Sequence, residues 1–328
     1  MRFRLASRAA VVGLAAMLSL AACGGSDPET TAAAAGGDGP EKTTLTIGLL
    51  PIPDDAAVYI ANEKGFFKEE GLTIKPEVIT GGAAAIPGLI SGTLDATMTN
   101  YVSTFVASEK GNKLKIVTDF YQAGPNVFNL MAAKDSPIAS VADLKGKKIA
   151  VNTLSNIGTL AVTATLKVNG LTADDVEFVE LPFPNMTPAL QKGDVDAAWM
   201  TEPFLTGAQK EFGAKKIADT MTGPMADFPI AGLAVTADFA EKNPKTVAAI
   251  QRALAKAQQL AASDRKVVEQ ILPSYTKINA ETAAVITLGT FPTSINEQRL
   301  QRVADLMVEH QYLKSPIDAK TLLVGSDG

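Results

Sequence analysis

Past residue 43 the chain alternates between two hydrophobic periods. Short apolar runs suited to strands fall at 44–50, 73–80 and 96–99, with helical spacing between them at 56–64 and 84–91. About 100 residues further on the succession returns, with strands at 147–152, 176–181 and 197–201 and helices at 157–168 and 186–192. Three pairs of segments keep register across this repeat. Ile47-Gly48-Leu49-Leu50 matches Ile149-Ala150-Val151-Asn152, and Gly71-Leu72-Thr73 matches Gly170-Leu171-Thr172. Leu89-Ile90-Ser91-Gly92-Thr93-Leu94-Asp95-Ala96 matches Leu190-Gln191-Lys192-Gly193-Asp194-Val195-Asp196-Ala197. Two similarly built α/β halves follow, each with a parallel sheet wound right-handedly.

Two further apolar strands, at 128–133 and 230–235, bracket the second half and are expected to be the crossings between lobes. Helical patterns at 244–262, capped by Asn243 with Pro244 in its first turn, and at 297–309 are expected to pack back on the first half. The predicted organisation is a discontinuous lobe I, residues 44–130 plus 231–328, and a lobe II of residues 131–230. Open parallel sheets bind ligands at the carboxyl ends of their strands, beside helix N-termini. The loops at 51–55, 81–83 and 100–101 of lobe I, and at 153–158, 182–185 and 202–203 of lobe II, are therefore the ones that should face a ligand.

The amino terminus has a different character. Arg2, Arg4 and Arg8 precede an apolar stretch at 9–20, too short to span a membrane and laid out as a secretory signal over residues 1–22. It ends in Leu20-Ala21-Ala22-Cys23, which resembles a bacterial lipobox, so Cys23 is expected to be diacylated and to become the new N-terminus. From residue 24 to 43 the sequence GGSDPETTAAAAGGDGPEKT has no apolar period and reads as a flexible tether.

Composition narrows the chemistry. The 328 residues include one Cys and one His, which excludes a zinc cluster, an iron–sulfur site or a disulfide built within one chain. The lone imidazole, His310, reads as a solvated helix-face residue. Net charge is −5, and −8 after loss of the three signal arginines, which leaves 27 basic against 35 acidic groups. Such a surface disfavours nucleic acid.

The segment Tyr59-Ile60-Ala61-Asn62-Glu63-Lys64-Gly65-Phe66-Phe67-Lys68-Glu69-Glu70-Gly71-Leu72-Thr73, followed by Leu89 to Ala96, resembles the solute-binding proteins of the nitrate, sulfonate and taurine import family, which also includes carriers of thiamine-pyrimidine precursors. Val141-Ala142-Asp143-Leu144-Lys145-Gly146-Lys147-Lys148-Ile149-Ala150-Val151 and Trp199-Met200-Thr201-Glu202-Pro203 look like its second-lobe signature. The resemblance implies a type II periplasmic-binding fold, a small-molecule solute held between two lobes, and an ABC permease with its ATPase as partners. One enzyme branch similar to this fold consumes its own His and uses a Cys-rich run, which this chain lacks in the corresponding region, so no cofactor and no catalysis are expected. The resemblance leaves the solute open. Within the matching segments Phe66, Phe67 and Leu72 read as core, Lys68, Glu69 and Glu70 as a solvated face, and Asp95 and Asp196 as turn-fixing residues.

The chain has no Arg between Arg8 and Arg252, so a bidentate arginine clamp on a carboxylate solute is disfavoured. An anion would have to sit on backbone N–H groups and hydroxyls at helix starts, where Gly81-Gly82-Ala83 and Ser155-Asn156-Ile157-Gly158 supply the material. Against an anion stand Asp54, Asp55 and Glu202, which suit an amine or a nitrogen heterocycle of pyrimidine type better, with sulfonate, taurine or nitrate next. Asp54 and Asp55 have a second reading as caps of the following helix. Tyr101, Phe120, Tyr121 and Trp199 are candidate stacking faces, and Asn100 and Asn185 candidate polar contacts. The expected protein is an exported, monomeric lipoprotein held by its lipid on the outer face of the cytoplasmic membrane. A sensor or scaffold lipoprotein built on the same clamp is the alternative, and an extracytoplasmic enzyme is the third reading, with no nucleophile elbow to support it.

Overall fold

The computed structural model describes residues 39–325. Ten strands form two five-stranded sheets. In chain order they are β1 (Thr44–Leu49), β2 (Thr73–Val78), β3 (Ala96–Asn100), β4 (Leu114–Gln122), β5 (Phe128–Ala132), β6 (Lys148–Val151), β7 (Glu177–Glu180), β8 (Ala197–Thr201), β9 (Lys215–Asp219) and β10 (Pro229–Thr236). The first sheet has the order β2-β1-β3-β10-β4 and the second β7-β6-β8-β5-β9. Within each, β1 pairs parallel with β2 and β3, and β6 with β7 and β8. One antiparallel strand interrupts each sheet: β10 lies between β3 and β4, and β5 between β8 and β9. The two lobes thus have the same strand order, and the antiparallel strand of each is the first strand reached after the chain changes lobe.

This placement revises the expected crossings. The apolar runs at 128–133 and 230–235 lie inside the sheets, and the chain passes between lobes at 123–127 and 220–228. Those two segments meet where Ala123 N donates to Phe228 O at 2.9 Å. Both runs are buried along nearly their whole length, as befits strands covered on two faces, which read as continuous apolar stretches and give no sign of their sheet position. The lobe boundary expected at 130–131 accordingly falls inside β5.

The repeat is carried through to hydrogen bonds. Gly92 and Gly193 both end a helix in the left-handed region, at φ of 77° and 74°. Asp95 accepts from Thr46 N at 2.9 Å, and Asp196 accepts from Lys148 N at 2.8 Å, so each aspartate ties the turn before the third strand to the start of the first. Phe67 and Leu72 are core, while Glu69 and Glu70 pair with Lys256 and Arg252 of helix Pro244–Ser263. That helix packs along helix Ala56–Glu63 of lobe I, and its Gln258 amide donates to the carbonyls of Asp119 and Phe120 at 2.6 and 2.9 Å. Among the described residues no helix is long and apolar enough to cross a membrane. Cys23 and the signal-like segment lie outside the described residues.

Candidate functional site

The carboxyl ends of β1, β3, β6 and β8 face one another across the gap between the lobes. Three contacts show how near they come. Ser103 Oγ of lobe I donates to Asn156 Oδ1 of lobe II at 3.0 Å. A Cβ on Gly81 would lie 2.8 Å from Thr153 Oγ1, so these two loops approach closely at the glycine. Pro51 and Ile52 face Phe183 and Phe204 across a 120 Å³ apolar cavity, where the two phenylalanine rings stack at 5.7 Å.

Asp54 and Asp55 stand on the lobe I side, in the single turn that links β1 to helix Ala56–Glu63. Both are buried, at 1% and 0% exposure. Asp55 Oδ2 accepts from Leu50 N at 2.7 Å, which closes the loop after β1. Asp55 Oδ1 and both oxygens of Asp54 have no hydrogen-bond partner in the protein. Neither side chain caps the helix, although Asp55 occupies the cap position, so the capping alternative does not describe them. Burial pushes the Asp54 carboxyl up to about 7 and Asp55 well above its ordinary range, the neighbouring Asp54 adding to the latter. Around the pair stand three phenols: Tyr59 and Tyr275, stacked at 3.8 Å, and Tyr121, whose hydroxyl accepts from Gly289 N.

The lobe II side is amide-rich. Asn156 Oδ1 accepts from Ile157 N at 2.6 Å as well as from Ser103, capping helix Ile157–Val168 and leaving its Nδ2 without a partner. Asn152, at the end of β6, has an unpartnered Oδ1. Buried polar atoms are nearly always satisfied, so the orphaned atoms in the loops that follow β1 and β6 are candidate partners for a solute's polar groups.

Several of the other residues singled out in the sequence serve the scaffold. Trp199 is 1% exposed and lies behind the gap: its indole N–H donates to Thr220 Oγ1 at 2.9 Å, and its ring stacks on Phe128 at 4.8 Å. Gly158 lies beneath that ring, where a Cβ would come within 2.8 Å of Cε3. Tyr101 points into lobe I and donates to Asp119 at 2.8 Å. Phe120 is core. Asn100 caps helix Tyr101–Glu109 through Ser103 N at 2.9 Å. Glu202 is held within the protein: it accepts from Thr206 N and Thr287 N at 3.0 Å each and from Thr206 Oγ1 at 2.8 Å. Its carboxyl pKa is nonetheless raised by burial. Ser155 and Asn185 are exposed, and Ala83 and Ser155 line a surface groove beside Leu154. Gly82 opens helix Gly82–Ser91 tightly against Thr99 and Asn100.

Four contributors were not singled out. Ser103 was legible as the third residue after a capping Asn. Phe183 and Asn152 lay inside or next to the loops expected to face a ligand. Tyr275, 223 residues from the Ile52 carbonyl that its hydroxyl contacts, left no local sign.

The NMT1/THI5-like family profile matches residues 52–266. The chain belongs to that family. It is 29% identical to the taurine-binding periplasmic protein of Escherichia coli K12 over 195 residues, 59% of either chain. It is also 29% identical to the riboflavin-binding protein RibY of Chloroflexus aurantiacus over 262 residues, 75% of this chain and 72% of that protein. Among solved structures, the alkanesulfonate-binding protein SsuA of Xanthomonas axonopodis pv. citri, bound to MOPS, superposes with a TM-score of 0.73 at 19% identity, covering 86% of this chain and 98% of that one. That likeness establishes the two-lobed periplasmic-binding fold.

Proposed function

We propose that this chain is an extracytoplasmic solute-binding lipoprotein, a binding protein rather than an enzyme, that closes two lobes on a small molecule and delivers it to the permease and ATPase of an ABC importer. The observation that carries this reading is the set of buried, unpartnered polar atoms on the two facing sides of the gap: Asp54 and Asp55 on lobe I, Asn152 and Asn156 on lobe II. Membership of a family whose curated relatives are named as binding proteins supports it.

The solute is a nitrogen compound that donates hydrogen bonds, a pyrimidine-like heterocycle or an amine. Once ionised, the unpartnered oxygens of the pair accept such donors, and the negative charge then left in a buried place favours a cation over an anion. Attachment to the membrane is through a lipid on Cys23, with the following linker as tether. Mass spectrometry of the solute that co-purifies with the protein tests the ligand class: a nitrogen heterocycle or amine is expected, and a sulfonate or nitrate would overturn that assignment. Asp55→Asn should weaken binding by about tenfold to a hundredfold, the value of a charge-assisted hydrogen bond.

A further inference from the structure

We propose that capture of a cationic solute is an exchange in which the cation displaces a proton held by the Asp54–Asp55 pair. The inference rests on the nitrogen-ligand reading above and adds the proton to it. Two carboxyl groups on consecutive residues are fully buried, and three of their four oxygens accept nothing from the protein. No Lys or Arg forms an ion pair with either among the described residues. The groups that face them are acids or phenols. Tyr59 comes from helix Ala56–Glu63, Tyr121 from β4, and Tyr275 from the segment after helix Arg265–Ile271. From lobe II, Glu202 acts on Tyr121 and is itself bonded to Thr206 and Thr287. Arg265 acts on Tyr121 but directs its guanidinium to Glu269 and to the Ile286 carbonyl.

Two bare carboxylates in such a place would repel each other and lack solvation, so at least one holds a proton at neutral pH. The raised carboxyl pKa of Asp54, about 7, accords with this. When a cation with N–H donors enters, its charge takes over the role of that proton. The O–H bond of the carboxylic acid breaks, the proton leaves to solvent, and the carboxylate accepts the ligand's N–H. On the opposite side Asn156 Nδ2 and Asn152 Oδ1 offer one donor and one acceptor to the rest of the solute, an independent sign that something polar is held here. Affinity for a cation that stays charged should therefore rise about tenfold per pH unit between about pH 5 and 7 and level off above.

The test combines two measurements on the full chain. Carbon-13 labelling of the aspartate carboxyls, assigned by Asp54→Asn and Asp55→Asn, should show one of the pair titrating near 7 before ligand is added. Calorimetry with putrescine, benzamidinium, 4-aminopyrimidine and ethanesulfonate, in phosphate and in Tris, should show about one proton released per permanently charged cation bound, with the double variant Asp54→Asn, Asp55→Asn losing both the release and the pH dependence. Cation binding that is flat with pH and releases no proton would overturn the exchange while leaving the nitrogen reading intact. Ethanesulfonate binding with the cations inert would overturn both. If no compound in the panel binds, the carboxyl titration decides: both groups titrating near 4 would overturn the proposal, and one near 7 would support it.

Discussion

Single residues in this protein are set by what surrounds them more than by their type. Asp119 is buried in lobe I, and burial pushes its carboxyl up to about 7 despite the bond from Tyr101 and the nearby Arg299. A folded-state pKa above the unfolded value of about 4 means the folded state binds the proton more tightly. Its contribution is therefore favourable below pH 4 and is lost as pH rises to about 7, a change on the order of 4 kcal/mol. Asp119→Asn, which keeps an acceptor for Tyr101, should raise the melting temperature at pH 8 and leave it nearly unchanged at pH 4. Equal shifts at both pH values would show that folding leaves the carboxyl's pKa unchanged. Gly158 makes the same point through packing. An alanine there would press on Trp199 in a closed interior, and overpacking of this kind costs about 1–3 kcal/mol, more than the gain of up to ~1 kcal/mol in helix propensity. Gly158→Ala should thus melt several degrees lower, with altered Trp199 emission, and an unchanged midpoint would mean that the indole can shift freely.

At the scale of elements, legibility in the sequence followed locality. The strands β1, β2, β3 and their counterparts β6, β7, β8 were readable because each is a short apolar run beside a helix with its own ending glycine. β4 was not, since Lys115, Thr118, Asp119 and Gln122 break the run although all of them but Thr118 are buried. Their polar groups are satisfied by distant partners such as Tyr101 and Arg299, which no local pattern announces. β9, an edge strand that opens with two lysines, carries no apolar run to mark it. The site divided in the same way. Asp54 and Asp55 stood out as acids at a strand end, whereas the assignment of Trp199 and Glu202 to the scaffold depends on Thr220, Thr206 and Thr287, visible only in three dimensions. A further long-range element contact is the end of the linker. Glu41 accepts from Lys245 N, Thr246 N and Thr246 Oγ1 at 2.8–3.0 Å, closing the start of helix Pro244–Ser263. These bonds outweigh desolvation and lower its carboxyl to about 2. A depressed folded pKa gives stability that is present above about 4.5 and lost as pH falls towards 2. Glu41→Gln should lower the melting temperature at pH 7 but not at pH 2, and a pH-independent effect would trace the role of Glu41 to hydrogen bonding alone.

For the molecule as a whole, two similar lobes are joined by two short segments of chain, and the contacts between them are the ones that the proposed closure would make and break. At the gap Ser103 meets Asn156; at the crossing side Glu202 of lobe II holds Thr287 N, and Lys210 donates to Thr282 Oγ1 at 3.1 Å, both partners belonging to the C-terminal part of lobe I. A solute can drive closure only by the contacts that the closed arrangement alone supplies. The crossings at 123–127 and 220–228 are short and bonded to each other, so the motion expected is a hinge there with each sheet moving as a rigid body. Small-angle scattering with the co-purifying solute should give a smaller radius of gyration than without it, and the bound protein should melt later in proportion to the logarithm of solute concentration. Glu202→Gln gives the finer test. A glutamine offers one acceptor where Glu202 uses two, so either Thr206 N or Thr287 N loses its bond. Weaker solute binding by about tenfold, with the scattering change preserved at saturation, is the expected result. If a tightly bound solute left the radius of gyration unchanged in the wild type, the two lobes would be a fixed cleft, and the Glu202–Thr287 bond would be a permanent part of the fold instead of one of the contacts that closing creates.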